Sequence, residues 1–201
     1  MNDIAGQVDA TLRHAGYGDT HPPGVVYAVD RSLRCTWHNR GWDDFARANG
    51  AGEDFERHWG VGCNVLDAVA GPIRAFYDYT FGVIMERGRP WERAIECSSA
   101  EVFRAVRLRM LPLPDGSGIV IVGDTMLERP HDPVARPASA AVDARYRGAD
   151  GIIVQCGHCV RVRRVSDVER WDWVPGFVER IPDNVSHSLC PVCLEYFFPD
   201  M

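Results

Sequence analysis

Apolar residues recur at two spacings along this chain, and the changes between them mark its elements. Ile4, Val8 and Leu12 stand at helical spacing with polar residues between them, which predicts a short amphipathic helix within residues 1–19. The Gly/Pro-rich stretch 16–24 ends it. Residues 25–29 and 33–37 read as strands joined by Asp30-Arg31-Ser32, a tight hairpin connection. Trp42, Phe45, Ala46 and Ala48 predict a short helix stopped by Asn49-Gly50. Residues 50–64 have no periodicity and read as irregular, and a short apolar turn follows at 65–69. Pro72 at a first helical position opens the longest helix, 73–87, closed by Gly88. Its stripe of Ile73, Phe76, Tyr77, Phe81 and Ile84 has ordinary packing spacing.

Three strand-like runs come next, at 91–97, 103–113 and 118–125, with Pro114-Asp115-Gly116 turning between the last two. Arg104, Arg107 and Arg109 alternate imperfectly with Val106, Leu108 and Met110, as in a sheet with one wet face. Two strands, a helical stretch and three strands joined by short loops predict an α+β domain over residues 20–127. It would be a five-stranded antiparallel sheet with helices on one face. Pro130, Pro133 and Pro137 make residues 128–145 read as a stiff, extended linker to a module at 146–201.

That module contains the chain's clearest chemistry. Cys156-Gly-His-Cys159 and Cys190-Pro-Val-Cys193 are two Cys-x-x-Cys pairs, the set of four sulfurs that tetrahedral Zn²⁺ takes at about 2.3 Å. Gly157 would let the first pair fold back, and Pro191 would fix φ at the start of the second. The intervening 30 residues exceed the commonest ribbon spacing of about 15–20, so a small subdomain separates the pairs. A redox dithiol and a disulfide pair are the competing readings. The first would open a helix after a buried strand, which neither pair is expected to do, and the second needs an oxidising compartment. Residues 1–18 lack the apolar stretch of a secretory signal, so a reducing, cytoplasmic setting is expected. His158 and His187 are alternative metal ligands, but the four cysteines are the expected set and the histidines are expected to hydrogen-bond nearby. Trp171, Trp173 and Phe177 are expected to form the module's small core.

Charge and composition remove several function classes. All 22 basic residues are arginine, which excludes a Schiff-base lysine and a Walker-type phosphate loop. A net charge of −6 argues against a nucleic-acid partner, and Arg161, Arg163 and Arg164 are expected to offset thiolate charge or line a solvated strand. No apolar run approaches the ~20 residues that cross a bilayer, so no membrane association is expected. Gly116-Ser117-Gly118 sits in a hairpin turn and Glu195 lacks a His-x-Glu context, so no catalytic constellation emerges and no enzyme is expected.

Tyr27-Ala28-Val29-Asp30-Arg31, then Trp37-His38-Asn39 and Trp42, resembles the start of a PAS sensor domain. Gly62-Cys63-Asn64-Val65-Leu66-Asp67 is similar to the PAS segment before its long helix. The tail, from Cys156 through Ser186-His187-Ser188-Leu189-Cys190-Pro191-Val192-Cys193, resembles a bacterial zinc-ribbon-like module found after PAS, GAF and receiver domains. Ser188 stands where a glycine is frequent in that module. These resemblances imply a cytoplasmic sensor or adaptor with a structural Zn²⁺, a homodimer with an unknown protein partner, and a small-ligand cavity. The homodimer would form through the Ile4/Val8/Leu12 stripe. Trp37, Phe76, Tyr77 and Cys97 are the candidates to line the cavity. Flavin photosensors of this fold place cysteine in an Asn-Cys-Arg context, whereas Cys63 precedes Asn64, and helix 73–87 has no histidine for haem. Neither flavin nor haem is therefore expected, with His58 and Cys63 the residues to revisit if one is found. Cys35, Cys63 and Cys97 read as small core or pocket residues. A thiol redox switch at the Cys-x-x-Cys pairs is the alternative function, and a nucleic-acid-binding regulator the weaker one.

Overall fold

Ile119-Val120-Ile121-Val122 are fully shielded from water, and the first part of the chain is built around them. The computed structural model describes residues 3–20, 22–52 and 54–200. A continuous apolar run of this kind needs cover on both faces of its sheet. The strands are β1 (Val25–Asp30), β2 (Cys35–His38), β3 (Trp91–Glu96), β4 (Val102–Pro112) and β5 (Gly118–Pro130). They form one antiparallel sheet in the order β2-β1-β5-β4-β3. Between the hairpin and the last three strands lie α2 (Arg40–Ala48), α3 (Phe55–Trp59), a 3-10 turn (Val65–Ala68) and α4 (Pro72–Arg87). The α+β architecture with a five-stranded sheet agrees with the sequence pattern.

Helices cover both faces rather than one. α1 (Ile4–His14) is capped by Asp3, whose side chain accepts from the Gly6 N–H at 3.0 Å. Its Val8 and Leu12 pack with Val26, Ala28, Leu111, Leu113, Val120 and Val122. The stripe expected to join a second subunit is thus spent on its own sheet. On the opposite face, Tyr27 meets Trp42 of α2 with ring centroids 4.7 Å apart. Asn39 positions that helix, its Oδ1 accepting from the N–H groups of Trp42 and Val26 at 3.0 Å each.

Three local boundaries differ from the sequence pattern. Leu33 turns with φ at 60°, so β2 starts at Cys35. Phe55–Trp59 forms a helix inside the stretch expected to be irregular. β5 continues to Pro130, its last six residues exposed, so the segment after 127 begins as strand.

The chain divides into two compact units. One comprises Met1–Ala68, Tyr77–Ile95 and Val106–Met126; the other comprises Val69–Phe76, Glu96–Ala105 and Leu127–Met201. The second unit adds α5 (Asp143–Tyr146), β6 (Ile153–Cys156), β7 (Val162–Arg163), β8 (Trp171–Asp172), α6 (Pro175–Glu179), β9 (Val185–Ser188) and α7 (Pro191–Phe197). Its sheet runs β8-β7-β6-β9, with β9 parallel to β6. Tyr146, Ile153, Val162, Val174 and Phe177 form its apolar cluster. Of the three aromatic residues expected there, Phe177 belongs to the cluster, Trp173 is buried elsewhere and Trp171 is half-buried.

Residues 128–145 pack within this second unit instead of spanning free space. Arg136 is the anchor, 7% exposed, with its guanidinium 3.9 Å above the Trp173 ring. It donates to Glu96 and, at 2.7 Å, to the Cys159 carbonyl. Ser139 N–H adds a bond to the Trp173 carbonyl at 2.8 Å.

Candidate metal centre

The ends of β6, β9 and α7 bring four sulfurs together. Cys156 closes β6, and its register partner in the parallel pair is Ser188 of β9. Two residues later Cys190 caps α7, with Pro191 in the first turn and Cys193 one turn on, so this pair does open a helix, contrary to expectation, although the strand before it is not a buried one. The Leu194 N–H bonds back to the Cys190 carbonyl at 2.8 Å, which fixes the second knuckle. In the first knuckle the left-handed residue is Val160, with φ at 52°, and not Gly157. Gly157 is needed for space, because a Cβ there would lie 2.9 Å from the Ala70 carbonyl oxygen. Its N–H donates to the Ser188 carbonyl at 2.8 Å, tying the two knuckles together.

Cys156, Cys159, Cys190 and Cys193 are all buried, and their sulfurs all lie within 4.8 Å of one another. The Cys159 and Cys190 sulfurs are 3.7 Å apart. A tetrahedron with metal–sulfur bonds of about 2.3 Å has edges of about 3.8 Å, so this spacing suits a zinc-sized ion. Four sulfurs so close cannot all ionise without a cation between them. Hydrogen bonds from Cys159, Cys190 and Cys193 hold the Cys156 thiol well below its ordinary range. Cys193 is pushed far up by sharing protons with Cys156, Cys159 and Cys190. A divalent ion would replace those shared protons.

The surroundings also suit thiolate sulfur. The Cys190 N–H donates to the Cys156 sulfur at 3.4 Å, and Arg161 Nη1 to that of Cys159 at 3.6 Å. His158 Nε2 accepts the Glu96 N–H at 3.0 Å, which leaves the proton on Nδ1, 3.3 Å from the Cys193 sulfur. Burial lowers the pKa of this imidazole, in keeping with a neutral ring that donates rather than ligates. The ring also meets Phe197 edge-on at 4.8 Å. His187 lies in β9 opposite Gln155, outside the sulfur cluster. Of the three neighbouring arginines, Arg161 faces sulfur, Arg164 binds Asp172 at 2.6 Å, and Arg163 sits in β7 opposite Trp171.

Of the four pocket candidates, Trp37 and Tyr77 belong to the first unit and Phe76 and Cys97 to the second. Trp37 lines an open cleft of about 570 Å³ beside α1, with Leu12, Tyr17, Val26 and Asn39. Phe76 packs edge-on against Phe197 and Phe198, at 5.0 and 5.7 Å. Tyr77 faces Phe81 at 6.4 Å. Cys97 is exposed, held through its backbone to Arg104. Aromatic size named these residues, but helix rotation and strand ends decided where each points. The rings that do cluster under β1 are Tyr27, His38, Trp42 and Phe55. Tyr27, His38 and Trp42 stand in the stretch that the sequence singled out; Phe55, in the unpredicted α3, does not. His58, on α3, bonds the Asp54 carbonyl at 2.9 Å at the surface.

No family model matches this chain, and no curated protein does. Among solved structures, the sensor region of a sensor histidine kinase is similar at 17% identity with a TM-score of 0.34. That match covers 50% of this chain and 38% of the other, and so partial a likeness leaves the site to stand on its own geometry. Among the described residues, no helix is long and apolar enough to cross a membrane.

Proposed function

We propose that this is a signal-sensing or adaptor protein whose C-terminal unit is held together by one structural Zn²⁺ on Cys156, Cys159, Cys190 and Cys193. The buried sulfur cluster is the observation on which the reading rests. Two independent dithiols would not need to share one centre, and backbone, arginine and histidine donors around it favour permanent thiolates over redox cycling. Zinc has no redox chemistry of its own; bound here it would offset two of the four thiolate charges and fix the two knuckles.

The PAS-like reading of the first unit draws support from the hairpin, helical insertion and three-strand order of its sheet. In that reading a small ligand, or pairing with a second copy, favours one packing of the sheet and biases the segments attached to it. The C-terminal unit then presents a surface to a protein partner. Neutralisation of Arg161 and Arg164 by sulfur and Asp172 speaks against phosphate binding there.

Native mass spectrometry of purified protein tests the proposal. One zinc per chain on four reduced cysteines is expected, in a dimer. A metal-free chain with disulfides at the Cys-x-x-Cys pairs would replace this reading with the thiol switch.

A further inference from the structure

Cys35 and Cys63 face one another across an irregular antiparallel pair in the first unit. Arg34 and Asn64 form an isolated antiparallel bridge there. It is flanked by Val65 N–H to the Leu33 carbonyl at 3.0 Å and Cys35 N–H to the Cys63 carbonyl at 2.9 Å. Arg34 and Asn64 are therefore a non-hydrogen-bonded pair, and Cys35 and Cys63 are the next opposed position. The Gly62 N–H also reaches the Cys35 carbonyl, at 2.7 Å, and Gly62 has φ at +96°. Two residues thus oppose one, a bulge whose first residue must be glycine.

A regular hydrogen-bonded pair has Cα atoms about 5.5 Å apart, inside the ~4.4–6.8 Å that a disulfide spans, and the bulge keeps one of that pair's two hydrogen bonds between Cys35 and Cys63. Alternation along the strands sends the Arg34 and Asn64 side chains to one side and both thiols to the other. Each sulfur has only a weak tie, Cys35 to the Trp37 carbonyl at 3.6 Å and Cys63 to the Arg57 carbonyl at 3.3 Å. Rotation about χ1 gives both up.

We propose that Cys35 and Cys63 are a reversible dithiol–disulfide site oxidised by peroxides. Cys63 is half-buried while Cys35 is 1% exposed, so Cys63 meets the oxidant first. Its thiolate attacks one peroxide oxygen, the O–O bond breaks, and the other oxygen leaves as water after taking a proton. Cys63 becomes a sulfenic acid. The Cys35 sulfur displaces that hydroxyl, forming the S–S bond and releasing a second water. Two thiols lose two protons and two electrons in total, and one hydrogen peroxide becomes two waters. The bridge would close a covalent loop containing α2 and α3, with His38, Trp42 and Phe55 inside it.

The test treats full-length, metal-loaded protein with hydrogen peroxide, blocks free thiols, and maps peptides by mass spectrometry. A Cys35–Cys63 cross-link that dithiothreitol reverses is expected, before the four clustered cysteines react. Cys97→Ser should leave it intact and Cys63→Ser should abolish it, while Cys35→Ser should accumulate a Cys63 sulfenic acid captured by dimedone. Cys63 passing to sulfinic acid with Cys35 still free, cross-links to other cysteines, or no reaction at either thiol would each overturn the proposal.

Discussion

In the first unit Val8, Val26, Val29 and Ile119 through Val122 are wholly shielded by strands and by helices on both faces. The second unit's apolar cluster is Tyr146, Ile153, Val162, Val174 and Phe177, and Ile73, Trp173, Leu189 and Phe197 are buried outside it beside the polar Arg104, Arg136, Gln155 and Asp172. There Arg136 sits over Trp173, Tyr146 donates to Asp172 at 2.9 Å, and four sulfurs occupy one centre. The first unit is stabilised by area removed from water, at about 25 cal/mol per Å². The second relies on directed contacts, each useless if its partner is lost. One kind of interior tolerates damage in proportion to volume; the other fails at single atoms.

Cys190→Ser should produce the largest effect. Structural zinc contributes on the order of 10–16 kcal/mol in finger peptides, more than so small a cluster can replace. Hydrogen exchange should show protection lost across β6 to α7 while Ile119–Val122 of β5 stays protected. Loss of both together would mean that the two interiors do not differ in the way described.

The converse substitution is Ile121→Ala. It empties part of a dry core and should cost about 2–5 kcal/mol, read as a lower urea midpoint for the first unit. Zinc content should not change. Metal loss in this variant would contradict independent stabilisation of the two interiors.

A smaller effect tests the donors around sulfur. His158→Phe removes the Nδ1 donor to Cys193 and leaves the Glu96 N–H without its acceptor. Chelator competition should show metal held roughly 10–100-fold more weakly, still at one per chain. Complete loss of metal would make His158 a ligand.

The smallest prediction concerns pH in the first unit. Tyr17 is buried and donates to Asp124 at 2.5 Å; burial first, then that hydrogen bond, raises its pKa. Tyr27 is pushed the same way by burial. In both cases the folded state holds its proton longer than the unfolded chain does. Their contribution is fully present below the ordinary phenol value of about 10 and declines as pH rises past it. Tyr17→Phe should cost about 1 kcal/mol at neutral pH and make that alkaline decline shallower. An unchanged slope between pH 9 and 11 would count against this assignment.

What could be read from the sequence follows the same divide. Local signals were sufficient where chemistry or periodicity was local: both cysteine pairs, Pro72 opening α4, Gly88 closing it, and the 114–116 turn. The continuous run from Ile119 to Val122 was read only as a strand, and the arginines of β4 led to one wet face where the sheet is covered on both. Non-local facts were hidden. Nothing near Ile4, Val8 or Leu12 says which surface they cover, so the stripe read as an interface until α1 was seen on its own sheet. The prolines around Arg136 suggested a spacer, yet a buried guanidinium between Trp173 and the Cys159 carbonyl holds that stretch down. The parallel pairing of β9 with β6 joins residues more than thirty positions apart, beyond any periodicity. The pocket candidates were named on ring size and element, neither of which carries direction.

The central claim is that four cysteine sulfurs hold one metal ion in the second unit. X-ray absorption at the zinc edge of the purified full-length protein tests it most directly. The account predicts a single shell of four sulfurs at about 2.3 Å, with no nitrogen scatterer. A shell containing imidazole nitrogen, or protein without bound zinc whose second unit is nonetheless folded, would contradict it.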